Sequence, residues 1–330
     1  MPPVESDESA RASFPAGAGV YSFLGPSGTF TEAALAQVPE ARGKTWRAVN
    51  NVTEALDDVV SGRSIAAMIA IENSVDGGVS VAQDALATIP HLRIVGEYLV
   101  PVTFVVVARP GVQLSDVRTL AAHPVAYAQC RRWLDAQLPG HTYFPATSNV
   151  AAALTVLDDD SVDAALAPPT MMGRDGLALL AQNVGDNPRA VTRFVLVTMN
   201  HDLPDPTGAD KTSLIADLPD DSAGTLLQLL EQFSTRGVNL SLIESRPIGD
   251  ELGRYRFVID ADGHIRDERV ADAVLGVRRF SPRLVFLGSY PRADRQQVTV
   301  DPRYGDDVFR DAREWLTALL AGNDRTGTAV

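Results

Sequence analysis

Cysteine is almost missing from this sequence, and so are the usual patterns of metal ligands. The 330 residues include one cysteine, Cys130, so neither an intrachain disulfide framework nor a cluster of thiolate ligands can form. The five histidines lie far apart, and none forms an HxH or HxxxH pair. Such pairs are typical of protein metal sites. The sequence therefore proposes no metal site.

Basic residues are also in short supply. The chain has 29 Lys and Arg residues against 42 Asp and Glu residues, which gives a net charge of −13. Nucleic-acid-binding proteins need a basic surface, so we expect no nucleic acid as partner. The net field gives no help to an anionic ligand either. Any anion site must therefore be built from local groups.

No hydrophobic run is long enough to cross a membrane. The longest covers residues 99–108, about half of what a spanning helix needs. Residues 1–17 contain acidic residues, serine and proline without an apolar core, so they do not resemble a signal peptide. We expect a disordered leader over these residues, no membrane partner and a cytoplasmic protein.

Apolar runs that alternate with helical patterns indicate an α/β fold over residues 18–200. Continuous apolar strands, such as 20–24 and 65–71, are typical of a mostly parallel sheet that is covered by helices. The same alternation restarts in the second half of this region, with a predicted helix at 114–120 and a predicted strand at 125–129. We expect two α/β lobes with a ligand cleft between them.

A different pattern follows a predicted linker at residues 201–211, which contains two prolines. Residues 212–290 have predicted elements in the order βαββαβ, the split βαβ of a ferredoxin-like domain. Residues 291–330 add one amphipathic helix and a tail. The sequence thus predicts two lobes, a linker, a ferredoxin-like domain and a C-terminal helix.

Two segments join a predicted strand to a predicted helix with polar residues at the joint. In GPSGTFTEAA, the backbone amides of Gly28 and Thr29 are suited to bind an anion at the helix N-terminus. The alternative is a plain turn in which Thr29 and Glu32 form a capping box. In IENSVDGGVS, Glu72 and Asn73 end a strand, where open α/β sheets bind ligands. The alternative is a solvated charge beside a turn residue.

Two further segments contain groups that suit an anionic ligand. In TRFVLVT, Arg193 has the planar fork that binds carboxylates and Thr192 has a hydroxyl group, although strand propensity also explains Thr and Phe here. In HPVAYAQC, Gln129 is either a donor and acceptor for a ligand or a core group that the backbone satisfies. Ser148 is most simply a helix cap.

Together, these segments resemble the prephenate dehydratase family, in its monofunctional form with a C-terminal ACT regulatory domain. GPSGTFTEAA, IENSVDGGV, HPVAYAQC, TRFVLV and ESRP occur in the family's order over residues 21–290. The resemblance implies two lobes like those of periplasmic binding proteins, with the site in the cleft between them. It also implies a lyase of phenylalanine biosynthesis that turns prephenate into phenylpyruvate, water and carbon dioxide without a cofactor or metal.

The resemblance implies roles for individual residues as well. The family's essential threonine matches Thr192, which would donate a hydrogen bond or a proton to the leaving hydroxyl group. Asn73 and Gln129 match cleft residues that orient the substrate or share that role, and Glu72 is the alternative acid. We expect Asn73, Gln129 and Thr192 to share one pocket. Candidates for substrate binding are Gly28, Thr29, Ser74, Ser148, Arg193 and Phe194, with Arg193 and the Gly28 and Thr29 amides on the carboxylates.

For the C-terminal part, the resemblance implies feedback by phenylalanine, bound between paired ACT domains of a homodimer or homotetramer. The candidate effector residues are Gly224, Thr225, Leu226, Leu227, Glu244, Ser245, Arg246 and Pro247. Three residues near the implied cleft, Ala70, Pro168 and Arg189, depart from the family pattern. They leave two alternatives open: an arogenate dehydratase, and a non-catalytic protein that senses an amino acid or aromatic acid.

Overall fold

The computed structural model of the chain describes residues 19–199, 202–220, 222–249 and 253–322. These residues form three β-sheets with helices packed against them. The predicted leader at 1–17, the first residue of the predicted linker and the end of the predicted tail lie outside the described residues. No described helix combines the length and the hydrophobicity that crossing a membrane requires.

The first lobe is built on a six-stranded sheet. Its strands are β1 (Val20–Leu24), β2 (Thr45–Val49), β3 (Ala66–Asn73), β4 (Gly77–Gly78), β5 (Arg93–Pro101) and β11 (Val191–Thr198). They lie in the order β2-β1-β3-β11-β5, with β4 paired to β3. β1 is parallel to β2 and β3, whereas β11 is antiparallel to both of its neighbours. The prediction of a mostly parallel sheet is therefore wrong here, because the chain re-enters this sheet from the second lobe as β11.

Helices cover both faces of the first sheet. α1 (Phe30–Leu35) packs on one face, and α2 (Val52–Val60) and α3 (Ser80–Thr88) pack on the other. Side chains alternate between the faces along β3, so that Met68 lies in the core beneath α1 and Ile69 in the core beneath α2 and α3. A strand buried on both faces explains why the sequence of β3 is a continuous apolar run.

The second lobe has a five-stranded sheet. Its strands are β6 (Val105–Ala108), β7 (Thr119–Ala122), β8 (Thr142–Pro145), β9 (Ala164–Ala167) and β10 (Ala178–Gln182), in the order β10-β6-β9-β7-β8. Its helices are α4 (Pro124–Gln129), α5 (Arg131–Gln137) and α6 (Asn149–Asp158). The sheet is mixed as well, since β7 is parallel to β8 and β9 while β6 is antiparallel to β9 and β10.

Two predicted elements of the second lobe are wrong. Residues 125–129 belong to α4 rather than to a strand, because the His123 side chain accepts the Val125 N–H and Pro124 occupies the first helical turn. Residues 114–120 contain a short 3-10 turn and the start of β7 rather than a helix. Short apolar runs do not distinguish a buried strand from a buried helix.

The C-terminal domain is an antiparallel sheet of four strands with two helices. Its elements are β12 (Asp210–Asp217), α7 (Thr225–Ser234), β13 (Leu240–Pro247), β14 (Tyr255–Asp262), α8 (Glu268–Phe280) and β15 (Leu284–Pro291). The strands lie in the order β13-β14-β12-β15, and the chain order is the βαββαβ that the sequence predicts. A last helix, α9 (Asp306–Leu320), packs on α8.

The sheet of the C-terminal domain shares a hydrophobic core with the first lobe. Along β12, Leu214 faces α7 and α8, whereas Ile215 packs with first-lobe residues such as Val195. Tyr290 of β15 is fully buried in the same shared core. The first lobe and the C-terminal domain are therefore joined by packing as well as by the linker.

We expect Ile215→Ala to lower the free energy of unfolding by about 2–5 kcal/mol, because it opens a cavity between the two domains. Ile215 is 1% exposed. Urea denaturation followed by circular dichroism measures the loss. The control is Leu275→Ala on α8, where the side chain is 55% exposed and the effect should stay within about 0.5 kcal/mol. Equal losses for the two variants would contradict the shared core.

Candidate active site

A cleft of about 240 Å³ lies between the two lobes. Asn73, Thr192 and Phe194 line it from strands of the first lobe, and Gln129 and Ser148 line it from the second. The structure therefore brings Asn73, Gln129 and Thr192 into one pocket, as the sequence analysis expected of them. Of the positions that depart from the family pattern, Ala70 and Pro168 also line this cleft.

Asn73 and Thr192 lie opposite each other on neighbouring antiparallel strands, β3 and β11. The Asn73 side-chain oxygen accepts the backbone N–H groups of Val75 at 2.8 Å and Asp76 at 3.3 Å, which fixes the orientation of its amide. Asn73 Nδ2 then donates to Thr192 Oγ1 at 3.0 Å. The Thr192 hydroxyl donates to no described residue, so its hydrogen is available to a ligand.

Gln129 ends α4 and reaches across the cleft from the second lobe. Its Nε2 donates to Asp76 Oδ2 at 2.6 Å and, over a longer distance of 3.4 Å, to Asn73 Oδ1. Gln129 is 6% exposed, and its Oε1 is buried without a partner among the described residues. The amide therefore joins the two lobes through its nitrogen and keeps an unused acceptor.

The turn before α1 is only partly available to a ligand. Thr29 lines the cleft, and its Oγ1 caps α1 by accepting the Glu32 N–H at 3.4 Å. The Gly28 N–H donates to Glu32 Oε2 at 2.5 Å, so Gly28, rather than Thr29, closes the expected capping box. The expectation that the Gly28 amide binds a substrate carboxylate is not supported, since Glu32 already occupies it.

The start of α6 forms another part of the cleft wall. Ser148 Oγ accepts the Ala151 N–H at 2.9 Å and so caps the helix, as its position in the sequence indicates. Its hydroxyl hydrogen remains for a second acceptor. The Asn149 Oδ1 is buried and has no partner among the described residues. Neutral donors and the helix N-terminus are thus the groups that this wall offers to an anion.

The sequence analysis did not select His123, which also lines the cleft. Its Nδ1 accepts the Val125 N–H at 3.3 Å and so caps α4. Burial lowers the pKa of His123, which keeps the imidazole neutral near pH 7. In the sequence, the pair His123-Pro124 was the available signal that a helix begins here, because proline favours the first turn of a helix.

Arg193 does not face the cleft, and this corrects the expectation that it clamps a substrate carboxylate. Side chains alternate along β11, so Thr192 and Phe194 point into the cleft and Arg193 points to the other face. There its Nε lies 2.6 Å from Glu97 Oε2 and its Nη1 lies 2.5 Å from Asp260 Oδ2. Arg193 is 5% exposed.

Further partners complete this buried charge cluster. Arg193 Nη2 donates to the Tyr290 hydroxyl at 2.8 Å, and Nη1 lies 3.3 Å from Glu72 Oε2. Burial alone would lower the pKa of Arg193, but the negative charges of Asp260 and Glu97 and the hydrogen bond to Asp260 outweigh it and hold that pKa above its ordinary value. Glu72 is therefore engaged by Arg193 and does not line the cleft, which argues against its role as the alternative acid.

Ser74 has a structural partner of its own. Its Oγ accepts the Val191 N–H at 2.9 Å, and its backbone N–H donates to the Val191 carbonyl at 2.9 Å. Ser74 thus ties the end of β3 to the start of β11 and does not line the cleft.

The described residues that line the cleft include neither lysine nor arginine. Arg131 and Arg132 line an adjoining pocket of about 500 Å³. This second pocket shares Val102, Phe104 and Gln129 with the cleft. The hydrogen-bond donors that the described residues offer within the cleft are therefore neutral, and the two arginines belong to the pocket beyond Gln129. No group of side chains in the described part of the chain has the composition of a metal site.

A pocket of about 420 Å³ lies in the C-terminal domain. It is lined by all four candidates at the start of α7, together with two aromatic side chains: Gly224, Thr225, Leu226, Leu227, Tyr255 and Phe257. The other four candidates belong to β13 and do not line this pocket. In this chain Glu244 accepts a hydrogen bond from Gln83 at 2.8 Å, and Arg246 pairs with Asp84 at 2.7 Å.

Comparisons with known proteins point to one family. A family model described as prephenate dehydratase matches residues 21–202. The chain is 41% identical over 302 residues to the prephenate dehydratase of Amycolatopsis methanolica, which covers 91% of this chain and 98% of that protein. It is 43% identical over 312 residues to the prephenate dehydratase of Mycobacterium tuberculosis strain H37Rv, with 91% and 94% covered.

A solved structure is similar over nearly the whole chain. It is prephenate dehydratase from Arthrobacter aurescens in complex with L-Phe, with 52% sequence identity and a TM-score of 0.87. The match covers 92% of this chain and all of that one. The likeness confirms the predicted fold class.

We expect Arg193→Met to lower the free energy of unfolding by about 3–5 kcal/mol, because the buried carboxylate of Asp260 loses its cation and that of Glu97 is left with Lys211. Urea denaturation measures this loss. The control is Arg303→Met, which removes an exposed ion pair with Asp301 and should cost far less. If Arg193 contacted a ligand instead of these carboxylates, the two variants would be equally stable.

Proposed function

The chain belongs to the prephenate dehydratase family, the lyases that turn prephenate into phenylpyruvate, water and carbon dioxide, and we propose that its cleft between the lobes is the site of this reaction. Neither of the alternatives, an arogenate dehydratase or a non-catalytic sensor, is favoured by the comparisons. The observation that carries the proposal is the hydrogen bond from Asn73 to Thr192, which leaves the threonine hydroxyl free to donate. A cytoplasmic location stays a prediction.

The reaction requires little from the protein beyond binding of prephenate and one hydrogen-bond donor for the leaving oxygen. The bond from C1 of the ring to its carboxylate breaks, and the electron pair enters the ring. The bond from C4 to oxygen breaks in turn, and the leaving hydroxide takes up a proton to become water. Aromatisation of the ring drives both steps, so the protein has to hold the dianion in a reactive geometry and stabilise charge on the leaving oxygen.

Thr192 is the group that we assign to the leaving oxygen. An alcohol is a weak acid, so Thr192 acts mainly by donating a hydrogen bond to the oxygen as negative charge develops there. Asn73 holds Thr192 Oγ1 in place for this task. Apolar side chains around the pair, among them Phe104 and Phe194, exclude water and so strengthen that hydrogen bond.

The carboxylates of prephenate are assigned to neutral donors. Ser148 and the backbone amides at the start of α6 lie in the cleft wall. On the side of the first lobe the donor is the backbone N–H of Thr29, because the Thr29 hydroxyl already donates to the Leu24 carbonyl at 3.0 Å. A helix N-terminus carries partial positive charge and free N–H groups, which suit a carboxylate. Phe194 forms part of the apolar wall against the ring. Gly28, Ser74 and Arg193 act indirectly, by holding the elements that carry these groups.

L-Phenylalanine is the effector that we assign to the pocket at the start of α7, as part of an ACT regulatory domain. Two observations support this assignment. The solved relative with 52% identity contains L-Phe, and the pocket here combines leucines with Tyr255 and Phe257. β13 is an edge strand of its sheet, so a second copy of the domain can pair with it in a homodimer or homotetramer. Ser245 and Pro247 lie on that edge strand, where the partner's pocket would meet them.

Thr192→Ala should lower kcat for phenylpyruvate formation by about 10²–10³-fold, because the leaving oxygen loses its donor. Thr192→Ser, which keeps a hydroxyl, should restore most of the activity. The ultraviolet absorbance of phenylpyruvate measures turnover. The matched control is Thr198→Ala on the same strand, whose hydroxyl donates to the Ile65 carbonyl outside the cleft. Undiminished turnover in Thr192→Ala would remove this residue from the mechanism.

Added L-phenylalanine should inhibit turnover, and Leu227→Ala should raise the concentration needed for half-inhibition by about tenfold, since a leucine that lines the effector pocket is truncated. The same assay with increasing L-phenylalanine measures this. Leu275→Ala, an exposed leucine on α8 away from the pocket, is the control and should respond like the unchanged protein. A normal response in Leu227→Ala would contradict the assignment of this pocket.

A further inference from the structure

Asp76 faces the end of α4 across the opening between the lobes. It lies in the turn between β3 and β4, and its Oδ2 accepts a hydrogen bond from Gln129 Nε2 at 2.6 Å. A carboxylate accepts hydrogen bonds and an ionised one cannot donate. The contact therefore distinguishes the two ends of the glutamine amide: the nitrogen must point toward Asp76, because the reversed amide would place its oxygen against the carboxylate.

A second acceptor reinforces this orientation. Gln129 Nε2 also lies 3.4 Å from Asn73 Oδ1, and that oxygen is held in place by the backbone N–H groups of Val75 and Asp76. The nitrogen of Gln129 thus lies between two acceptors of the first lobe. Asp76 supplies the shorter of the two contacts, and it supplies the charge.

The orientation leaves Gln129 Oε1 as an acceptor that the protein does not use. This oxygen is shielded from water and has no partner among the described residues, although its residue lines the cleft beside Thr192. A buried acceptor without a donor costs free energy, and a ligand that brings a donor recovers that cost. Prephenate with both carboxylates ionised has one hydrogen-bond donor, which is its C4 hydroxyl group.

We propose that Asp76 is a positioning residue, which acts through Gln129 to orient the C4 hydroxyl group of the substrate for departure. The inference rests on the proposed function. Gln129 Oε1 accepts the hydrogen of the C4 hydroxyl group. A lone pair of the C4 hydroxyl oxygen then faces the Thr192 hydroxyl, which donates a hydrogen bond to that oxygen. The cleft in this way offers one acceptor and one donor to a single oxygen atom, and Asp76 determines that Gln129 is the acceptor.

The test is Asp76→Asn, assayed for phenylpyruvate formation from prephenate. The new amide can donate as well as accept, so it no longer discriminates between the two orientations of Gln129. We expect kcat to fall about fivefold to tenfold with KM within about twofold. If the carboxylate contributed only its charge, its removal next to a dianion would lower KM and leave kcat unchanged, and that result would overturn the proposal.

Two measurements separate this role from a general effect on the fold. Phenylpyruvate lacks the C4 hydroxyl group, so its inhibition constant as a competing product should be the same for Asp76→Asn and the unchanged protein. Asp76→Asn should cause no further loss of kcat when Gln129→Met is already present, because Asp76 acts through that amide. A weaker inhibition constant, or losses that multiply in the double variant, would overturn the proposal.

The matched control is Asp135→Asn on α5. Asp135 is an exposed carboxylate of the second lobe that pairs with Arg131 at 3.1 Å and does not line the cleft, so kcat should be unchanged. The unchanged protein is assayed alongside. If it forms no phenylpyruvate, the proposed function fails and this inference fails with it. If it is active and Asp76→Asn keeps full kcat, the inference about Asp76 alone is overturned.

Discussion

The Arg193 cluster is the contact on which the arrangement of the first-lobe sheet and the C-terminal sheet depends. Arg193 lies on β11, and its guanidinium group pairs with Glu97 of β5 and with Asp260 of β14. A buried ion pair adds little net stability, but it is costly to break, because each unpaired charge would remain in a medium of low polarity. A shift of the C-terminal sheet that moves Asp260 must therefore move Arg193 with it or leave the buried Asp260 carboxylate without its cation. Thr192 is the next residue on the same strand, so this constraint reaches the cleft.

The use of Arg193 away from the cleft agrees with the chemistry. The ring carboxylate of prephenate leaves as neutral carbon dioxide while its negative charge passes through the ring to the leaving oxygen, so this carboxylate is less charged in the transition state than in the substrate. A cation beside it would stabilise the bound substrate more than the transition state and slow the reaction. In the proposed function, the neutral donors are the Thr29 backbone N–H and the Ser148 hydroxyl, which hold an anion without this penalty. The donor proposed there, Thr192, is instead assigned to the oxygen on which negative charge increases.

The sequence predicted the parts of the site that depend on local pattern. Strand ends and glycine turns indicated Asn73 and the turn at Thr29, and the resemblance to a family indicated Thr192 and Gln129. What it could not predict depends on contacts between distant residues. The pairing of Arg193 with Asp260 spans 67 positions and the contact of Gln129 with Asp76 spans 53, so neither residue's partner is visible in its own segment. The helical state of residues 125–129 was missed for another reason, since a histidine cap and a proline outweighed the strand-like apolar run.

The connections between the lobes explain why the site needs both of them. Two chain segments link the lobes, and they lie side by side, since the Val102 N–H donates to the Ala190 carbonyl at 2.8 Å. Thr192 follows directly after the segment that contains Ala190. Asn73 pairs with Thr192 across the sheet. A rotation of the lobes about this point changes the position of Gln129 while the Asn73–Thr192 pair stays together. The proposed donor, Thr192, is thus built into one lobe, and the proposed acceptor, Gln129, belongs to the other lobe and is held at the cleft by its contact with Asp76.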